Sequence, residues 1–264
     1  MLLIGQYISC IMENVKAKKF LGQHFLTDEA IAQRIVSSLS SGCRNLIEIG
    51  PGMGVLTKYL CNDSRYNFCA VELDMESVDY LLQHFPQLHV IHADFLKQDL
   101  NALFHDSFAI IGNFPYNISS QILFRVFENR NIVPEVVGMF QKEVAERIAS
   151  EPGNKAYGIL SVLLSAFYDI EYLFTVHEHV FNPPPKVKSA VIRMKRNSVQ
   201  SLDCDEQMFV KVVKTAFNQR RKTLRNALKP MGSVLDSLPA ELLAKRAEQL
   251  SVDEFVYITK SIKV

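Results

Sequence analysis

The chain has 264 residues, of which 48% are hydrophobic and 22% are charged, and its formal net charge is +1. This composition is typical of a globular protein of one or two domains with a sizeable core, and it excludes the disordered and fibrous classes. No apolar stretch reaches the roughly 20 residues that span a bilayer, so no membrane partner is expected.

Residues 1–15 are predicted to form an N-terminal extension, which is apolar but lacks the basic start of a signal peptide. Met12 is a candidate translation start within it. A basic, glycine-containing lead-in follows over 16–26, and a helix with an acidic first turn is predicted over 28–39. The five cysteines form no Cys-x-x-Cys pair, which indicates a reducing, cytoplasmic setting.

The first predicted strand, over 45–49, leads into a glycine loop and then a helical pattern. The loop carries glycine at 50, 52 and 54. Glycine lets the backbone pass close to a ligand and turn tightly into a helix. A glycine loop on its own also occurs as a purely structural turn, so this motif is weak evidence by itself.

The next two predicted strands each end near a carboxylate. The strand over 67–71 is followed by Glu72, and the strand over 88–91 is followed by Asp94. A carboxylate after the second strand suits the two hydroxyls of a ribose, because it accepts from both. A carboxylate after the third suits the exocyclic amine of a cofactor's adenine. The pair therefore predicts a nucleoside-containing cofactor.

The fourth predicted strand, over 108–112, ends in Asn113-Phe114-Pro115-Tyr116. An exocyclic amine on an aromatic base is a poor nucleophile, because its lone pair is delocalised into the ring. The Asn113 oxygen and the Phe114 carbonyl can accept its two N–H bonds and localise that lone pair. Tyr116 offers a flat face for the base. The alternative is an ordinary strand-to-loop turn.

Three features narrow the choice of cofactor. Val55 stands where the NAD fingerprint needs a glycine, and the Gly-Lys-Ser/Thr of a P-loop is absent. Glu48, just before the glycine loop, would repel a pyrophosphate but suits a cationic ligand. S-adenosylmethionine carries a sulfonium and an ammonium, so the pocket is interpreted as a site for this methyl donor.

The rest of the chain predicts a fifth strand over 136–140 and an antiparallel pair over 171–180 and 189–194. Strands alternating with helices indicate a mostly parallel, helix-covered sheet. After residue 198 the pattern is helical only, so the predicted domains are 16–198 and 199–264. His177 and His179 alternate on a strand, but without further ligands nearby no metal is expected.

Charge is distributed unevenly along the chain. Between residues 62 and 110 there are eight acidic residues, whereas 207–235 holds seven Lys or Arg and no acid. A run so free of acids favours contact with a phosphate backbone. The alternative is a solvated helix face. Phe181 precedes a proline run and is predicted either to stack on the target base or to be a core aromatic.

The chain from Lys18 onward resembles the small-subunit ribosomal RNA adenine dimethyltransferases. The blocks that carry the resemblance are Lys19 to Leu26, Glu48 to Gly52, Val71 to Asp74, Asn113 to Ser119, Phe181 to Val191 and Gln219 to Arg225. The last two blocks are more specific than the generic methyltransferase motifs. His24 stands where many relatives have Asn, and Phe114 where many have Leu or Pro.

The resemblance implies a Rossmann-like class I methyltransferase sheet with a small all-helical C-terminal domain. It assigns the cofactor to His24, Leu26, Gly50, Glu72, Asp94 and Asn113, and it makes Asn113 the catalytic residue. Together with the chemistry of the residues themselves, it predicts catalysis by Asn113, Phe114 and Tyr116, and RNA binding by Phe181, Arg220, Arg221, Lys222 and Arg225. It implies dimethylation of the N6 amines of two adjacent adenosines near the 3′ end of small-subunit ribosomal RNA, during maturation of that subunit, by a cytoplasmic monomer. Two alternatives stay open: a related enzyme acting on large-subunit RNA or DNA, and a non-catalytic RNA-binding assembly or transcription factor.

Overall fold

A computed structural model describes residues 15–40 and 42–262. The predicted N-terminal extension and the candidate start at Met12 therefore lie outside the described residues, apart from Val15. The strands are β1 (Phe25–Leu26), β2 (Asn45–Ile49), β3 (Asn67–Glu72), β4 (His89–His92), β5 (Phe108–Asn113), β6 (Glu135–Gln141), β7 (Tyr168–Val176), β8 (Phe181–Asn182) and β9 (Ser189–Arg196).

The α-helices are α1 (Glu29–Ser37), α2 (Thr57–Leu60), α3 (Met75–His84), α4 (Ser119–Glu128), α5 (Lys142–Ile148), α6 (Ile159–Ser165), α7 (Glu206–Asn218), α8 (Leu224–Ala227), α9 (Ala240–Ala244) and α10 (Val252–Ser261). Short 3-10 segments cover Lys19–Leu21, Phe95–Lys97, Leu100–Ala102, Glu178–Val180, Lys229–Ser237 and Ala247–Gln249.

Seven of these strands form one sheet in the order β4-β3-β2-β5-β6-β9-β7. The strands from β4 to β6 are parallel, and β9 and β7 close the sheet as an antiparallel pair. The chain runs outward from β2 to β4 and then returns to place β5 on the other side of β2. This reversal of strand order is the point at which open α/β sheets bind ligands. The predicted sheet architecture is confirmed.

The central strands form where the sequence is largely apolar on both faces. In β5, the five residues from Phe108 to Gly112 are buried, as expected for a central parallel strand with helices above and below it. Helix starts follow their capping residues. Asp28 accepts from the backbone of Ile31 at 3.0 Å. Ser251 and Glu254 form the predicted capping box.

From residue 206 onward, the described elements are helical. The apolar stripe of α7 packs against α6 and α10, and Phe209 is fully buried there. That stripe belongs to the same hydrophobic core as β5 and the helices on one face of the sheet. The helical segment therefore continues the core of the sheet. A domain boundary near residue 198 stays a prediction.

Two predicted elements differ from the structure. The strand predicted over 171–180 begins at Tyr168 and ends at Val176, followed by the 3-10 segment Glu178–Val180. The basic run at residues 220–222 was predicted on a helix but lies in the turn between α7 and α8. The helix stops at Asn218 because Gln219 has non-helical backbone angles (φ −122°, ψ 47°). Within the described residues, no helix is long and apolar enough to cross a membrane.

Candidate active site

A pocket opens at the carboxyl ends of the central parallel strands, at the reversal of strand order between β2 and β5. Its walls come from the residues after β2, β3, β4 and β5, and from the lead-in before β1. Of the residues predicted from the sequence, the pocket is lined by His24, Gly50, Glu72, Asp94, Asn113, Phe114 and Tyr116. The parallel topology brings them together, because all these strands end at the same edge of the sheet.

The glycine loop turns by left-handed backbone conformations, with φ of 65° at Gly50 and 56° at Gly52. A Cβ at Gly52 would lie 2.7 Å from the Phe25 ring, so a side chain there would displace a pocket wall. A Cβ at Gly50 would meet only the Pro115 ring, at 3.6 Å. Gly50 therefore keeps the backbone of the loop close to the Asn113–Tyr116 segment.

Glu72 is almost fully buried, and three backbone N–H groups donate to its carboxylate. Its Oε1 accepts from the backbone N–H groups of Leu73 and Asp74, both at 2.8 Å, and its Oε2 accepts from Gly52 at 3.1 Å. Burial raises the pKa of Glu72, although these N–H donors oppose the shift. A carboxylate has about four lone-pair sites, so one acceptor direction on Oε2 is left for a ligand.

Asp94 begins the 3-10 segment after β4 and caps it. Its Oδ1 accepts from the backbone of Leu96 at 3.0 Å, and its Oδ2 lies 3.5 Å from the Lys97 ammonium. The carboxylate is partly exposed on the pocket wall. Apolar side chains beside it, Leu73, Phe95 and Leu96, also line the pocket. Such a wall suits the faces of a flat heterocycle, with Asp94 at its edge.

Asn113 has a defined orientation. Its Nδ2 donates to the backbone carbonyl of His24 at 2.8 Å. A carbonyl oxygen can only accept, so the amide nitrogen must face His24. Among the described residues, the amide oxygen of Asn113 and the carbonyl of Phe114 accept no hydrogen bond. Two acceptors are thus left free at the end of β5.

The Phe114 side chain is part of the core rather than the pocket chemistry. Its ring is 1% exposed and meets Phe140 edge-on, with ring centroids 5.1 Å apart. A Cβ at Gly138 would lie only 2.3 Å from the Phe114 ring, so glycine on β6 makes room for it. The ring anchors the turn, and the main-chain carbonyl is what residue 114 presents.

Tyr116 is held at both ends of its side chain. Its hydroxyl lies 2.5 Å from Oγ of the buried Ser189, and its ring stacks on His24 with centroids 5.3 Å apart. Burial raises the pKa of Tyr116. Nδ1 of His24 donates to the Pro183 carbonyl at 2.7 Å, since that carbonyl can only accept. Ser189 was not identified from the sequence, because a serine at a strand start carries no pattern of its own.

The lead-in over residues 16–24, called the strap below, lies along the rim of the pocket. Asp74 is buried and holds it by an ion pair with Lys18 and a hydrogen bond from Gln23 at 3.2 Å. Burial opposes ionisation of Asp74, but these two partners lower its pKa overall. Sequence reasoning missed this clamp, because Lys18 and Asp74 lie 56 positions apart.

The role predicted for Glu48 is not supported. Its carboxyl is buried, is not part of the pocket lining, and accepts from Oγ1 of Thr57 at 2.6 Å. Burial, together with the nearby Glu72, raises the pKa of Glu48 to about 8. The raised pKa favours the uncharged form of this carboxyl, which weakens the case for Glu48 as an anionic partner of a cationic ligand.

Two predicted site residues lie away from the pocket. Leu26 and Phe181 are paired across the small β1–β8 sheet, and both side chains are about 4% exposed in one apolar cluster. Leu26 lines a neighbouring cleft with Phe25 and Gly54. The ring of Phe181 is packed as a core aromatic, so the structure does not support its use as an exposed stacking face for a base.

The basic residues of the α7–α8 turn and of α8 differ from one another. Arg220 donates to the Lys155 carbonyl and lies 3.8 Å from Glu248, which gives it a structural partner. Arg221, Lys222 and Arg225 are exposed, and in the described part of the chain no acidic group pairs with them. These three cations are the ones free to meet phosphates.

The chain is similar to known proteins over most of its length. Residues 14–263 match the family described as "Ribosomal RNA adenine dimethylase". A protein of Cytophaga hutchinsonii named "Ribosomal RNA small subunit methyltransferase A" is 61% identical over 255 residues, which are 95% of this chain and 99% of that protein. A protein of the same name from Flavobacterium johnsoniae is 58% identical over 257 residues, 96% of this chain and 98% of that protein.

Two solved structures share the fold. A dimethyladenosine transferase from Plasmodium falciparum aligns with a TM-score of 0.72 and 23% identity, over 89% of this chain and 96% of that one. The 23S rRNA methyltransferase ErmE aligns with a TM-score of 0.65 and 24% identity, over 89% and 99%. At these identities the likeness concerns the fold, which is that of the Rossmann-like methyltransferases.

Proposed function

The chain belongs to the ribosomal RNA adenine dimethylase family, and we propose that it methylates the N6 amines of two adjacent adenosines near the 3′ end of small-subunit ribosomal RNA. Each adenosine receives two methyl groups from S-adenosylmethionine. The name shared by these two relatives supports the small subunit as the source of the substrate.

The observation that carries this proposal is the orientation of Asn113. With its Nδ2 bound to the His24 carbonyl, its oxygen stays available beside the free Phe114 carbonyl. Two acceptors side by side match the two N–H bonds of an adenine amine. Accepting both bonds pulls the nitrogen towards a tetrahedral geometry and makes its lone pair available for attack. Alignment then supplies much of the catalysis, as for other well-oriented reactions.

The pocket fits the cofactor by the chemistry of its walls. The apolar side chains beside Asp94 suit an adenine, and the free direction on Oε2 of Glu72 suits a ribose hydroxyl. Gly50 provides a close approach of the backbone at the methionine end. When bound, the cofactor supplies an electrophilic methyl group on a sulfonium. Leu26, a buried residue of β1, is assigned a supporting role rather than a direct contact.

The target adenosine must leave its stack to reach the end of β5. We assign Tyr116 as the platform that receives it, on the ring face that His24 leaves uncovered. The bond from the Tyr116 hydroxyl to Ser189 fixes the plane of this platform. The proton of the methylated amine departs after transfer, so no strong general base is required.

The partner is ribosomal RNA within the immature small subunit, and we propose that the protein acts on it as a monomer in the cytoplasm. Arg221, Lys222 and Arg225 supply cations for the phosphate backbone. Cys43, Cys61, Cys69 and Cys204 are free thiols, which supports a reducing compartment.

The test is mass spectrometry of ribosomal RNA from immature small subunits incubated with the protein and S-adenosylmethionine. The expected product is dimethyladenosine at two adjacent positions near the 3′ end. The matched variant is Asn113→Asp, which has nearly the same shape. Its two carboxylate oxygens cannot donate to the His24 carbonyl, so the orientation of the side chain is lost. We expect its rate to fall about 100-fold or more, the range for a lost polar group that acts on the transition state.

Three other outcomes would contradict the proposal. Unmodified RNA with intact cofactor and RNA binding would indicate a non-catalytic assembly factor. Methylation of large-subunit RNA alone would show that the substrate is not small-subunit RNA. An Asn113→Asp rate near that of the wild type would remove the amide from the chemistry.

A further inference from the structure

Phe20 is the most exposed large hydrophobic side chain in the described residues, at 77%. It lies on the strap, in the 3-10 segment Lys19–Leu21, directly before the residues that line the pocket. Its ring has no aromatic neighbour and joins no apolar cluster in this part of the chain. An isolated exposed apolar residue is common, so exposure alone decides nothing.

The backbone that carries Phe20 is tied to the catalytic segment. Nδ2 of Asn117 donates to the Phe20 carbonyl at 3.2 Å. Gly22 has a left-handed φ of 68°, and a Cβ there would lie 2.6 Å from Oδ1 of Asn117. Asn117 follows Tyr116 directly in sequence. The position of Phe20 is therefore set relative to the platform that receives the target base.

The charge around Phe20 favours a polyanion. Lys16 and Lys19 on the strap are exposed, and no acidic group of the described chain pairs with them. Lys18, between them, is used by Asp74 and Glu76. An aromatic side chain flanked by free cations is the arrangement that proteins use for single-stranded nucleic acid, with the ring on a base and the cations on phosphates.

Base flipping would leave an exposed base face that such a ring can cover. When one adenosine leaves its stack, the neighbouring base keeps one face without a partner. An exposed aromatic at the rim of the pocket can cover that face, and this contact tolerates any base because every base has a π-face.

We propose that Phe20 stacks on an RNA base adjacent to the adenosine that enters the pocket, with Lys16 and Lys19 on the flanking phosphates. This proposal rests on the function proposed above and adds a second base-binding position to it. Phe20 takes over the role that the sequence suggested for Phe181, whose ring is buried.

The test compares Phe20→Ala, Phe20→Leu and Phe20→Tyr in the full chain, with Tyr257→Ala on α10 as a control at a second exposed aromatic. Loss of one base stack costs roughly 1–3 kcal/mol. We therefore expect kcat/KM on immature small subunits to fall about 5- to 150-fold in the Ala and Leu variants. Phe20→Tyr keeps a flat ring and should stay within about twofold of the wild type, as should Tyr257→Ala.

A second measurement separates stacking from packing of the strap. The probe is a short single-stranded RNA with 2-aminopurine beside the target adenosine. Its fluorescence should be quenched on binding to the wild type and to Phe20→Tyr, but not on binding to Phe20→Ala or Phe20→Leu. Cofactor affinity by calorimetry should be equal in all variants. Equal kcat/KM and equal quenching across the series would overturn the proposal, as would a loss explained by weaker cofactor binding.

This design also distinguishes the two proposals. If the wild type transfers no methyl group, the proposed function fails on its own mass-spectrometric test. If the wild type methylates the RNA but the Phe20 variants behave identically, only the stacking inference fails.

Discussion

Glu72 combines two functions in one side chain. It accepts two backbone hydrogen bonds from the turn after β3 and one from Gly52 in the glycine loop after β2, and it lines the pocket. A carboxylate used in this way is costly to replace, because its loss leaves buried N–H donors without partners. Binding and local stability are therefore expected to change together at this position.

We predict that Glu72→Ala weakens S-adenosylmethionine binding by roughly 1–3 kcal/mol, the range for a lost hydrogen bond to a charged group. The midpoint of thermal unfolding should fall as well, because Gly52 and Asp74 lose their acceptor. Isothermal calorimetry and scanning calorimetry measure the two effects. Asp79→Ala, an exposed acid on α3, is the control and should change neither. Unchanged cofactor affinity in Glu72→Ala would remove the ribose assignment.

Glu48 gives a prediction about pH. Its pKa in the folded chain is about 8 because of burial, above the value of about 4.3 for an exposed glutamate. Between these values the folded state holds a proton that the unfolded state has lost. Stability from this group is thus complete below about pH 4, and it is lost as pH rises through 8 at about 1.4 kcal/mol per unit.

Replacing Glu48 by Gln removes the titration while keeping a side chain that can bond to Thr57. Relative to the wild type, Glu48→Gln should therefore gain free energy of unfolding as pH rises from 5 to 8. Denaturant unfolding at several pH values measures this difference. Parallel stability curves for the two proteins would show that the carboxyl does not titrate in this range.

At the scale of elements, the basic residues in the turn between α7 and α8 differ in their partners. Arg220 is bound back to Glu248 and the Lys155 carbonyl, whereas Arg221 and Lys222 point to solvent. Because a turn presents successive side chains in different directions, these neighbours do not form one uniform face. We therefore propose RNA contacts for Arg221, Lys222 and Arg225 rather than for the whole run.

We predict that Arg221→Glu weakens binding to small-subunit RNA and lowers the slope of log affinity against log salt by about one, the change for one lost phosphate contact. Arg44→Glu is the matched control. Arg44 is exposed just before β2, at the amino ends of the parallel strands, whereas the pocket lies at their carboxyl ends. A salt titration by fluorescence anisotropy measures both. Coincident curves for Arg221→Glu and Arg44→Glu would show that the cations of this turn are only solvated and do not bind RNA.

At the scale of the whole molecule, one apolar core runs from the sheet into the C-terminal helices. Phe209 of α7 is fully buried and belongs to the same cluster as Phe108 of β5. A shared core couples the segments, because neither can unfold without exposing apolar surface of the other. The pocket at the strand ends and the basic turn of the helical segment are thus held on one scaffold.

We predict that Phe209→Ala destabilises the protein by about 3–5 kcal/mol, the range for a buried phenylalanine. The loss should affect the sheet and the helices together. Scanning calorimetry of the wild type should show one transition, and the variant should show one transition at a lower temperature. Two separated transitions would instead indicate that residues 199–264 unfold independently, in line with a separate helical domain.

The sequence alone determined the sheet and most of the pocket. Apolar runs mark the strands, and polar residues directly after them must meet, because parallel strands end at one edge of a sheet. Glu72, Asp94 and Asn113 could therefore be predicted without coordinates, as could the glycine loop. The specific blocks at residues 181–191 and 219–225 carried the resemblance to the family.

Only the tertiary structure decided which chemically similar residues are available. Phe181 is buried and Phe20 is exposed, although both are aromatic residues in matching motif blocks. Glu48 is buried beside Thr57, and Arg220 has an acidic partner from a distant segment. The contact that orients Asn113 comes from His24, 89 positions away. The local sequence gives the chemical type of each residue. Its burial and its partners depend on segments that come together only after folding.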